Sequence, residues 1–387
     1  MPPVPLLLSA GEASGDMYAA RLAIALKHRI DVTLFGMGGP QMRAAGVEII
    51  TDYSEVSVVG ITEVLKRLPS LRRAMGRLVS EAKRRRPPLA ILTDFPGFHL
   101  RLARKLLPVG IQNVYYICPQ FWAWRPWRVN LVRRRFAQAL CIFPFEEKFY
   151  RDAGVAVKFI GHPLVGNVRA TMTRESFCDK YSLDSKYPIL TILPGSRRGE
   201  IAHHVPIIVE ALALLSNRIG RFTAVVAVAP AIDLEQLRAI FPGRANIRFL
   251  RDDTYNAIAA ADLAIVSSGT ATVETALLGI PMVVVYRLSP LTAKLAKPLV
   301  RTKFFSMVNL IAGRLVVPEL IQDNFTPQRI AAEVERFLSA SKEGVDCRNE
   351  VRQGLADTCQ LLGQPGAVDR AADAIMALLQ GGGSNAK

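Results

Sequence analysis

The chain has 387 residues, of which 50% are hydrophobic and 21% charged, so it is not globally disordered and is long enough for two domains of ordinary size. No uncharged apolar run approaches the roughly 18–20 residues that span a bilayer. The five cysteines are scattered and lack CxxC spacing, which indicates reduced thiols of a cytoplasmic protein rather than a disulfide frame or a zinc site. The net charge of +16 favours an anionic partner.

The N-terminal segment Ser9-Ala-Gly-Glu-Ala-Ser-Gly-Asp16 follows a short apolar run, and a helical pattern begins at once. This predicts a buried strand that delivers a small-residue loop to the carboxyl edge of a parallel sheet, where open α/β proteins bind ligands. Gly11 and Gly15 allow a tight turn and a close approach. Glu12 and Asp16 are expected to bring carboxylates to that rim, which argues against a simple phosphate cradle. An ordinary βα turn is the alternative.

Much of the positive charge lies in Thr62–Arg86, where basic and apolar residues alternate at approximate helical spacing. Pro69 interrupts this pattern and is expected to start a second helix. Such a stretch is typical of helices on an anionic membrane surface, and Leu291–Phe305 has the same character. Either segment alone would also fit a solvated helix face or nucleic-acid binding, but two together favour the membrane. The basic residues expected to face it are Lys66, Arg67, Arg72, Arg73 and Arg77.

Apolar strands alternate with helical stretches in both halves of the chain, which predicts two parallel sheets with right-handed crossovers. From Thr326 onward the pattern is helical only. We therefore expect an N-terminal domain over residues 1–168, a C-terminal domain over 169–345, and a helical tail over 346–387. The tail would pack back on the first domain or exchange in a homodimer. The expected strands are Val4–Ser9, Val32–Gly36, Leu89–Asp94, Val114–Cys118, Ile189–Leu193, Ala224–Ala229, Ile247–Leu250, Leu263–Ser267 and Met282–Tyr286.

A loop in the second half, Leu193-Pro-Gly-Ser-Arg197, follows a buried strand and precedes a helical pattern. Gly195 and Ser196 can present backbone and hydroxyl donors, and Arg197 supplies a bidentate fork for a phosphate. A structural arginine in a βα loop is the alternative. The loop predicts an anion site in the second domain.

A second loop, Ser267-Ser-Gly-Thr-Ala-Thr272, joins a strand to a helix that carries Glu274 in its first turn. The helix N-terminus attracts a diphosphate, and Glu274 is placed to accept hydrogen bonds from a ribose diol. Capping of the helix by Thr270 is the alternative, and both roles can hold at once. With no Walker motif present, the two loops favour a nucleotide sugar.

Several motifs occur in order along the chain: Ser9–Asp16, Phe121-Trp-Ala-Trp-Arg125, Phe143-Pro-Phe-Glu146, Gly161-His-Pro163, Leu193–Arg197, Ser268–Thr272 with Glu274, and Asn309–Gly313 with Val317–Leu320. With them the chain resembles the lipid-A-disaccharide synthases over nearly its whole length. The resemblance implies an α/β, GT-B-like fold of two facing Rossmann-like domains with parallel sheets and a helical C-terminal tail.

The activity that this resemblance implies is transfer of 2,3-diacylglucosamine from its UDP donor onto 2,3-diacylglucosamine 1-phosphate. The products would be a β(1→6)-linked disaccharide and UDP, with anomeric inversion. The resemblance also implies a peripheral enzyme on the cytoplasmic face of the inner membrane of a Gram-negative bacterium. Its partners would be the two substrates and the anionic membrane surface, not nucleic acid.

Inverting transfer requires a base for the acceptor hydroxyl and cationic groups for the leaving UDP. Asp94 ends the strand Leu89–Thr93, and the matching family aspartate is implicated in catalysis, so we expect it to be the general base. A strand-end carboxylate that caps the next turn is the alternative. Where the family usually has aspartate-phenylalanine-asparagine, this chain has Gly97-Phe98-His99, which makes His99 a candidate proton acceptor or acceptor-phosphate ligand. Glu12 is a candidate for organising the acceptor sugar.

On the leaving-group side, the resemblance places the UDP contacts in the second domain. No metal or cofactor is expected, because the chain has no Asp-x-Asp sequence and because arginine and helix dipoles can neutralise the diphosphate. The residues expected at UDP are Ser196 and Arg197 at the phosphates, Gly269 and Thr270 as diphosphate donors, Glu274 at the ribose, and Asn309 and Glu319 in the cleft.

Two other hypotheses stay open. A related two-domain nucleotide-sugar enzyme, such as a UDP-N-acetylglucosamine 2-epimerase or a soluble transferase, would not require paired apolar and basic surfaces. A non-enzymatic binder of anionic membranes or nucleic acid would keep its binding when Asp94 is replaced and would release no UDP.

Overall fold

A computed structural model describes residues 2–56, 61–123, 125–230, 232–241, 246–289 and 302–382, with only the backbone described for residues 61–67 and 382. The chain forms two compact units. The first consists of Met1–Val165 together with Leu362–Lys387, and the second of Gly166–Leu361. Each unit is an α/β domain built around one parallel sheet.

The first unit has a seven-stranded sheet in the order β3-β2-β1-β4-β5-β6-β7, in which every pair of neighbours is parallel. Its strands are β1 Val4–Ala10, β2 Val32–Gly38, β3 Glu48–Asp52, β4 Leu89–Thr93, β5 Gln112–Tyr116, β6 Gln138–Cys141 and β7 Val157–Phe159. Its helices are α1 Ala13–Lys27, α2 Pro40–Ala44, α3 Ile61–Arg85, α4 Pro96–Leu106, α5 Val129–Arg135, α6 Pro144–Asp152 and, from the C-terminal segment, α15 Ala367–Gly382.

The second unit has a six-stranded parallel sheet in the order β10-β9-β8-β11-β12-β13. Its strands are β8 Ile189–Leu193, β9 Thr223–Ala227, β10 Ile247–Leu250, β11 Leu263–Ser267, β12 Met282–Tyr286 and β13 Glu319–Ile321. Its helices are α7 Arg174–Tyr181, α8 Arg198–Ile219, α9 Leu234–Ala239, α10 Thr254–Ala259, α11 Thr270–Leu277, α12 Met307–Ala312, α13 Pro327–Leu338 and α14 Lys342–Gln360.

The central strands are buried on both faces, as the strands of parallel sheets in α/β proteins are. In β1, the consecutive residues Leu6, Leu7 and Leu8 are all fully buried, although successive side chains of a strand point to opposite faces. This explains why the central strands appear in the sequence as continuous apolar runs rather than as alternating patterns.

Every strand that the sequence predicts is present, and four more occur among the described residues that it does not predict. These are β3, β6, β7 and β13, which are three to five residues long. Three of them lie at sheet edges, where an apolar run is not needed because one side of the strand has no neighbour. The predicted helix start at Pro69 is wrong, because α3 continues through it. Pro69 is exposed, so water can replace the backbone hydrogen bond that it removes.

The C-terminal helices divide between the two units. Helix α14 contacts α11, α12 and α13 and lies in the second unit, which ends at Leu361. Helix α15 packs on α1, where the Arg29 guanidinium lies 2.8 Å from a carboxylate oxygen of Asp369 and 3.0 Å from one of Asp373. The boundary expected at residue 345 therefore falls inside α14, and dividing the chain there would break that helix's hydrogen bonds. The first unit's N-terminal segment ends at Val165 rather than at 168.

Helix α8 is long and apolar enough, by length and composition, to cross a membrane. Its residues Val205, Ile208 and Leu212 are buried in the core of the second unit, and the helix packs against α13. The apolar character of α8 is thus explained by packing within a folded domain.

Candidate active site

The first candidate ligand-binding edge lies at the point where the order of the first sheet reverses. Strands β1 and β4 are neighbours there, with Ala10 paired to Thr93, and the chain leaves β1 and β4 toward opposite ends of the sheet. Such a switch point is where open α/β sheets bind ligands, because the two following loops diverge and leave a crevice. The loop after β1 carries Glu12, and the loop after β4 carries Asp94.

The two loops fit closely against each other. A Cβ atom built on Gly11 would lie 2.2 Å from Cδ1 of Phe95, so only glycine fits beneath that ring. Gly11 therefore serves the approach of the two loops to each other.

The turn that carries Asp94 has an unusual backbone. Asp94 and Phe95 have φ angles of 49° and 47°, consecutive left-handed residues that are neither glycine nor asparagine. Asp94 N–H donates to the carbonyl of Tyr116 at 3.1 Å. The Asp94 carbonyl accepts the Tyr115 hydroxyl at 3.0 Å and lies 2.8 Å from Nδ1 of His99. Strained backbone of this kind is maintained only where surrounding contacts over-determine it.

His99 lies beneath this turn rather than at the rim. Its ring is fully buried, and Nε2 lies 2.8 Å from the Ser9 hydroxyl. Because Nδ1 faces a carbonyl, which only accepts, Nδ1 carries the proton and Nε2 accepts from Ser9. Burial lowers the pKa of His99 to about 4, so the ring is neutral. The expectation that His99 takes the acceptor proton or binds its phosphate does not fit this burial.

Of the two acidic residues expected at the rim, Asp16 lies elsewhere. It is buried, and its carboxylate accepts the backbone N–H groups of Gly39, Gln41 and Met42 at 2.6, 3.0 and 3.2 Å, which caps the start of α2. Asp16 therefore has a structural role, because it joins the first turn of α1 to the loop after β2 and to the start of α2. Glu12 is partly exposed at the N-cap position of α1 and stays at the switch point.

The second candidate ligand-binding edge lies between β8 and β11, where the order of the second sheet reverses. The loop after β8 carries Ser196 and Arg197, whose backbone N–H groups donate to Glu200 at 3.0 and 3.3 Å. The Arg197 side chain is 45% exposed, with Nη1 3.3 Å from Glu200. Glu200 therefore folds the loop onto the start of α8 and orients the guanidinium.

A histidine that the sequence analysis missed supports this loop. His204 is fully buried, with Nδ1 2.8 Å from the carbonyl of Pro194 and Nε2 accepting the backbone N–H of Arg287 at 3.0 Å. Burial lowers its pKa, so it is neutral with its proton on Nδ1. In the sequence, the only indication of this role was that His204 lies about two turns into the helix after the loop. Its partner Arg287 is distant in sequence and gave no local signal.

The loop after β11 opens helix α11. Gly269 has φ 152° at the N-cap position and Thr270 is the first helical residue, so Thr270 is not the cap that the alternative interpretation required. Glu274 lies one turn further on and is partly exposed, and its Oε1 accepts the hydroxyl of Tyr255 at 3.0 Å. Tyr255, on α10, is a second residue that the sequence analysis missed.

Asn309 and Glu319 form a scaffold instead of an exposed binding surface. Asn309 is fully buried, donates to the Val317 carbonyl and to Glu319, both at 2.8 Å, and accepts from the backbone at Val316. The Glu319 carboxylate accepts the backbone N–H groups of Phe305 and Ser306 at 2.9 and 2.8 Å. These contacts fix the Phe305–Ser306 segment. The Phe305 carbonyl in turn accepts the hydroxyl of Ser268, which is next to Gly269.

The residues expected to face a membrane are described in part. Arg72 and Arg73 are exposed on α3, and Arg77 forms an ion pair with Glu55 at 2.5 Å. The side chains of Lys66 and Arg67 lie outside the described residues, as does 290–301, most of the second basic stretch. Over the part of the chain that the structure covers, no group of three His, Cys, Asp or Glu side chains is placed to hold a metal ion.

Comparison with known proteins identifies the family. A family model described as Lipid-A-disaccharide synthetase matches residues 6–362. The chain is 44% identical over 382 residues to the lipid-A-disaccharide synthase of Myxococcus xanthus, covering 98% of this chain and 99% of that protein. It is 45% identical over 381 residues to the lipid-A-disaccharide synthase of Solibacter usitatus, covering 97% and 98%. The chain belongs to the lipid-A-disaccharide synthetase family.

As a member of this family the chain is a hexosyltransferase, and solved structures agree with the fold. A UDP-GlcNAc 2-epimerase from Neisseria meningitidis bound to UDP-GlcNAc has a TM-score of 0.65 at 10% identity, covering 97% of this chain and all of that one. The calicheamicin glycosyltransferase CalG4 has a TM-score of 0.59 at 18% identity, covering 100% of both. At these identities the likeness shows the GT-B fold alone, so the epimerase likeness does not support epimerase activity.

Proposed function

We propose that this chain transfers 2,3-diacylglucosamine from UDP to the 6-hydroxyl of 2,3-diacylglucosamine 1-phosphate. The products are the β(1→6)-linked disaccharide 1-phosphate and UDP, with inversion at the anomeric carbon. The observation that carries this proposal is the family match over residues 6–362. The chemistry is supported by the two switch points, since one has a carboxylate-bearing turn and the other an arginine loop beside a helix N-terminus.

In this proposal Asp94 takes the proton of the acceptor 6-hydroxyl as that oxygen attacks C1 of the donor sugar. Its place on a turn fixed by Tyr115, Tyr116 and His99 would hold the carboxylate ready without reorganisation. Glu12, at the same switch point, would hold hydroxyl groups of the acceptor sugar. A positioned general base contributes on the order of 10²–10⁴-fold to a rate.

The leaving UDP would bind the second unit. Arg197 would contact the diphosphate through its partly exposed guanidinium, and the backbone N–H groups at Gly269 and Thr270 would add the positive end of α11. Glu274 would accept the ribose hydroxyls. Asn309 and Glu319 would act indirectly by fixing the Phe305–Ser306 segment. Because these groups neutralise the diphosphate, we expect activity to persist in excess chelator, and restoration by magnesium would contradict this.

We also propose that the first unit docks on the anionic cytoplasmic leaflet of a membrane, where its lipid substrates lie. Arg72 and Arg73 are exposed on α3, which packs against α4, and α4 packs against α5. Trp127, between Arg125 and Arg128 just before the start of α5, is 58% exposed. Apolar side chains among cations are what an interfacial contact requires. Co-sedimentation with phosphatidylglycerol vesicles should weaken in Arg72→Glu/Arg73→Glu and be unchanged in Arg352→Glu, which lies on α14 of the second unit.

The test of function incubates the purified protein with UDP-diacylglucosamine and diacylglucosamine 1-phosphate and detects the disaccharide by mass spectrometry. Asp94→Asn and Arg197→Ala should each lower turnover at least tenfold, about 1.4 kcal/mol of barrier. The matched controls are Asp31→Asn and Arg352→Ala, which change exposed residues of the same types in the same units. Equal rates in all four variants would contradict the proposed roles.

The same experiment separates the other hypotheses. An epimerase would convert UDP-N-acetylglucosamine to its 2-epimer without any acceptor. A binding protein would release no UDP and would bind vesicles or nucleic acid equally well after Asp94→Asn.

A further inference from the structure

We propose that His99 is a positioning residue which, held by Ser9, fixes the Asp94 turn for catalysis. The inference rests on the proposed function, in which Asp94 is the base. It goes beyond that function by assigning a task to a fully buried residue that takes no part in the proposed chemistry. The three groups come from three different elements: Ser9 from β1, Asp94 from the end of β4, and His99 from α4.

The turn needs such support because its backbone is left-handed at two successive residues with side chains, Asp94 and Phe95. An isolated chain would leave this conformation for a relaxed one. The Asp94 carbonyl accepts two hydrogen bonds, from the Tyr115 hydroxyl of β5 and from Nδ1–H of His99. Both lone pairs of that oxygen are thus engaged, one from the neighbouring strand and one from the following helix.

His99 can make its contact only in one protonation and tautomeric state. The Asp94 carbonyl requires a proton on Nδ1, and the hydroxyl of Ser9 then donates to Nε2 at 2.8 Å. Ser9 is itself fully buried near the end of β1, one residue before Ala10, which pairs with Thr93. The contact from Ser9 to His99 to Asp94 therefore joins the two strands that form the switch point.

The ring also packs within an aromatic group. Phe95 and Phe98 stand edge-on to it, with centroids 5.9 and 5.8 Å away. Because Phe95 lies against Gly11, the position of His99 bears on both ligand loops. Its effect is expected on turnover, since UDP binds the other unit in the proposed function.

Two amide variants separate the contacts of His99. In His99→Asn the amide nitrogen Nδ2 is bonded to Cγ, as Nδ1 is in histidine. It can therefore still donate to the Asp94 carbonyl. In His99→Gln the amide reaches the position of Nε2 and can contact Ser9, but residue 99 no longer donates to the Asp94 carbonyl, which keeps only the Tyr115 hydroxyl. We expect kcat within about threefold of the parent for His99→Asn and at least tenfold lower for His99→Gln, with the Kd for UDP unchanged in both.

Three outcomes would overturn the inference: equal kcat in the two variants, a lower kcat for His99→Asn than for His99→Gln, or a matched loss of UDP binding and melting temperature that shows a merely structural role. His99→Leu, which keeps bulk without hydrogen bonds, should match His99→Gln.

A second measurement does not depend on disaccharide synthesis. Nitrogen-15 NMR of histidine-labelled protein at neutral pH should show His99 with its proton on Nδ1, and a proton on Nε2 would overturn the inference whatever the activity. If the parent protein shows the Nδ1 tautomer but makes no disaccharide, the proposed function fails and the geometric assignment of His99 is supported.

Discussion

Gly11 and Phe95 lie in direct contact at the first switch point, where a Cβ on Gly11 would be 2.2 Å from the phenylalanine ring. Phe95 cannot retreat freely, because its φ of 47° fixes where its side chain leaves the backbone. The glycine of the N-terminal motif is therefore required by Phe95, which lies in the turn between β4 and α4. This contact links the loop of Glu12 to the turn of Asp94.

Gly11→Ala should consequently displace the Asp94 turn. Overpacking of this kind costs about 1–3 kcal/mol of unfolding free energy, and we expect turnover to fall at least tenfold. The matched control is Gly97→Ala on α4, where a Cβ would meet nothing within 4 Å. Alanine there should leave activity unchanged and stability equal or slightly higher. Urea unfolding and the disaccharide assay provide both numbers, and normal activity in Gly11→Ala would contradict the coupling of the loops.

Tyr255→Phe should weaken donor binding without affecting the acceptor. The Tyr255 hydroxyl donates to Glu274 at 3.0 Å, which orients the carboxylate proposed to hold the ribose. A single hydrogen bond of this kind contributes about 0.5–1.5 kcal/mol, so KM for the UDP donor should rise roughly 2–10-fold. KM for the acceptor should stay constant, and a change confined to the acceptor would refute the ribose role. Tyr187→Phe, at a tyrosine of the same unit outside these loops, is the control.

Glu146 should make the first unit less stable as pH rises. Burial raises the pKa of this carboxyl to about 8, against 4.5 for an ordinary glutamate. Between these values the folded protein binds more protons than the unfolded chain, so the unfolding free energy falls as pH increases through that window. Glutamine does not titrate and can still accept from Trp122 Nε1, which donates to Glu146 at 3.1 Å.

The unfolding free energy of Glu146→Gln minus that of the parent should therefore increase from pH 5 to pH 8, by at most about 1.4 kcal/mol per pH unit. Tryptophan fluorescence in urea follows this unit, because all three tryptophans lie in residues 122–127. Asp152→Asn, an exposed carboxyl on the same helix, is the control. A difference that is flat or falls with pH would show that Glu146 is ionised when buried.

The sequence was sufficient to predict the two sheets and the small-residue loops after β1, β8 and β11, since buried parallel strands are continuous apolar runs and the loops after them are rich in small residues. Ligand binding by these loops stays a prediction. It could not predict which polar residues turn inward. Asp16 and His99 are polar residues of the kind that binds ligands, yet both are buried because N–H groups and a carbonyl from other elements need partners. His204 pairs with Arg287, 83 residues away, and no local pattern reveals such a contact.

Short strands were missed for a related reason. Strand β6 begins with Gln138 and has four residues, and β13 begins with Glu319 and has three, so neither contains a long enough apolar run. These residues form strands because they pair with β5 and β12, and such pairing exists only in the folded sheet. A place for Asn309 and Glu319 at the UDP site stays a prediction, and their contacts with backbone groups could not be predicted because only the folded loop brings those groups together.

A crystal structure with UDP tests the central claim most directly, because that claim assigns the leaving group to one set of residues. We expect the diphosphate within hydrogen-bonding distance of Arg197 and of the backbone N–H groups that open α11, with the ribose hydroxyls on Glu274. UDP bound away from both Arg197 and Glu274 would contradict the account.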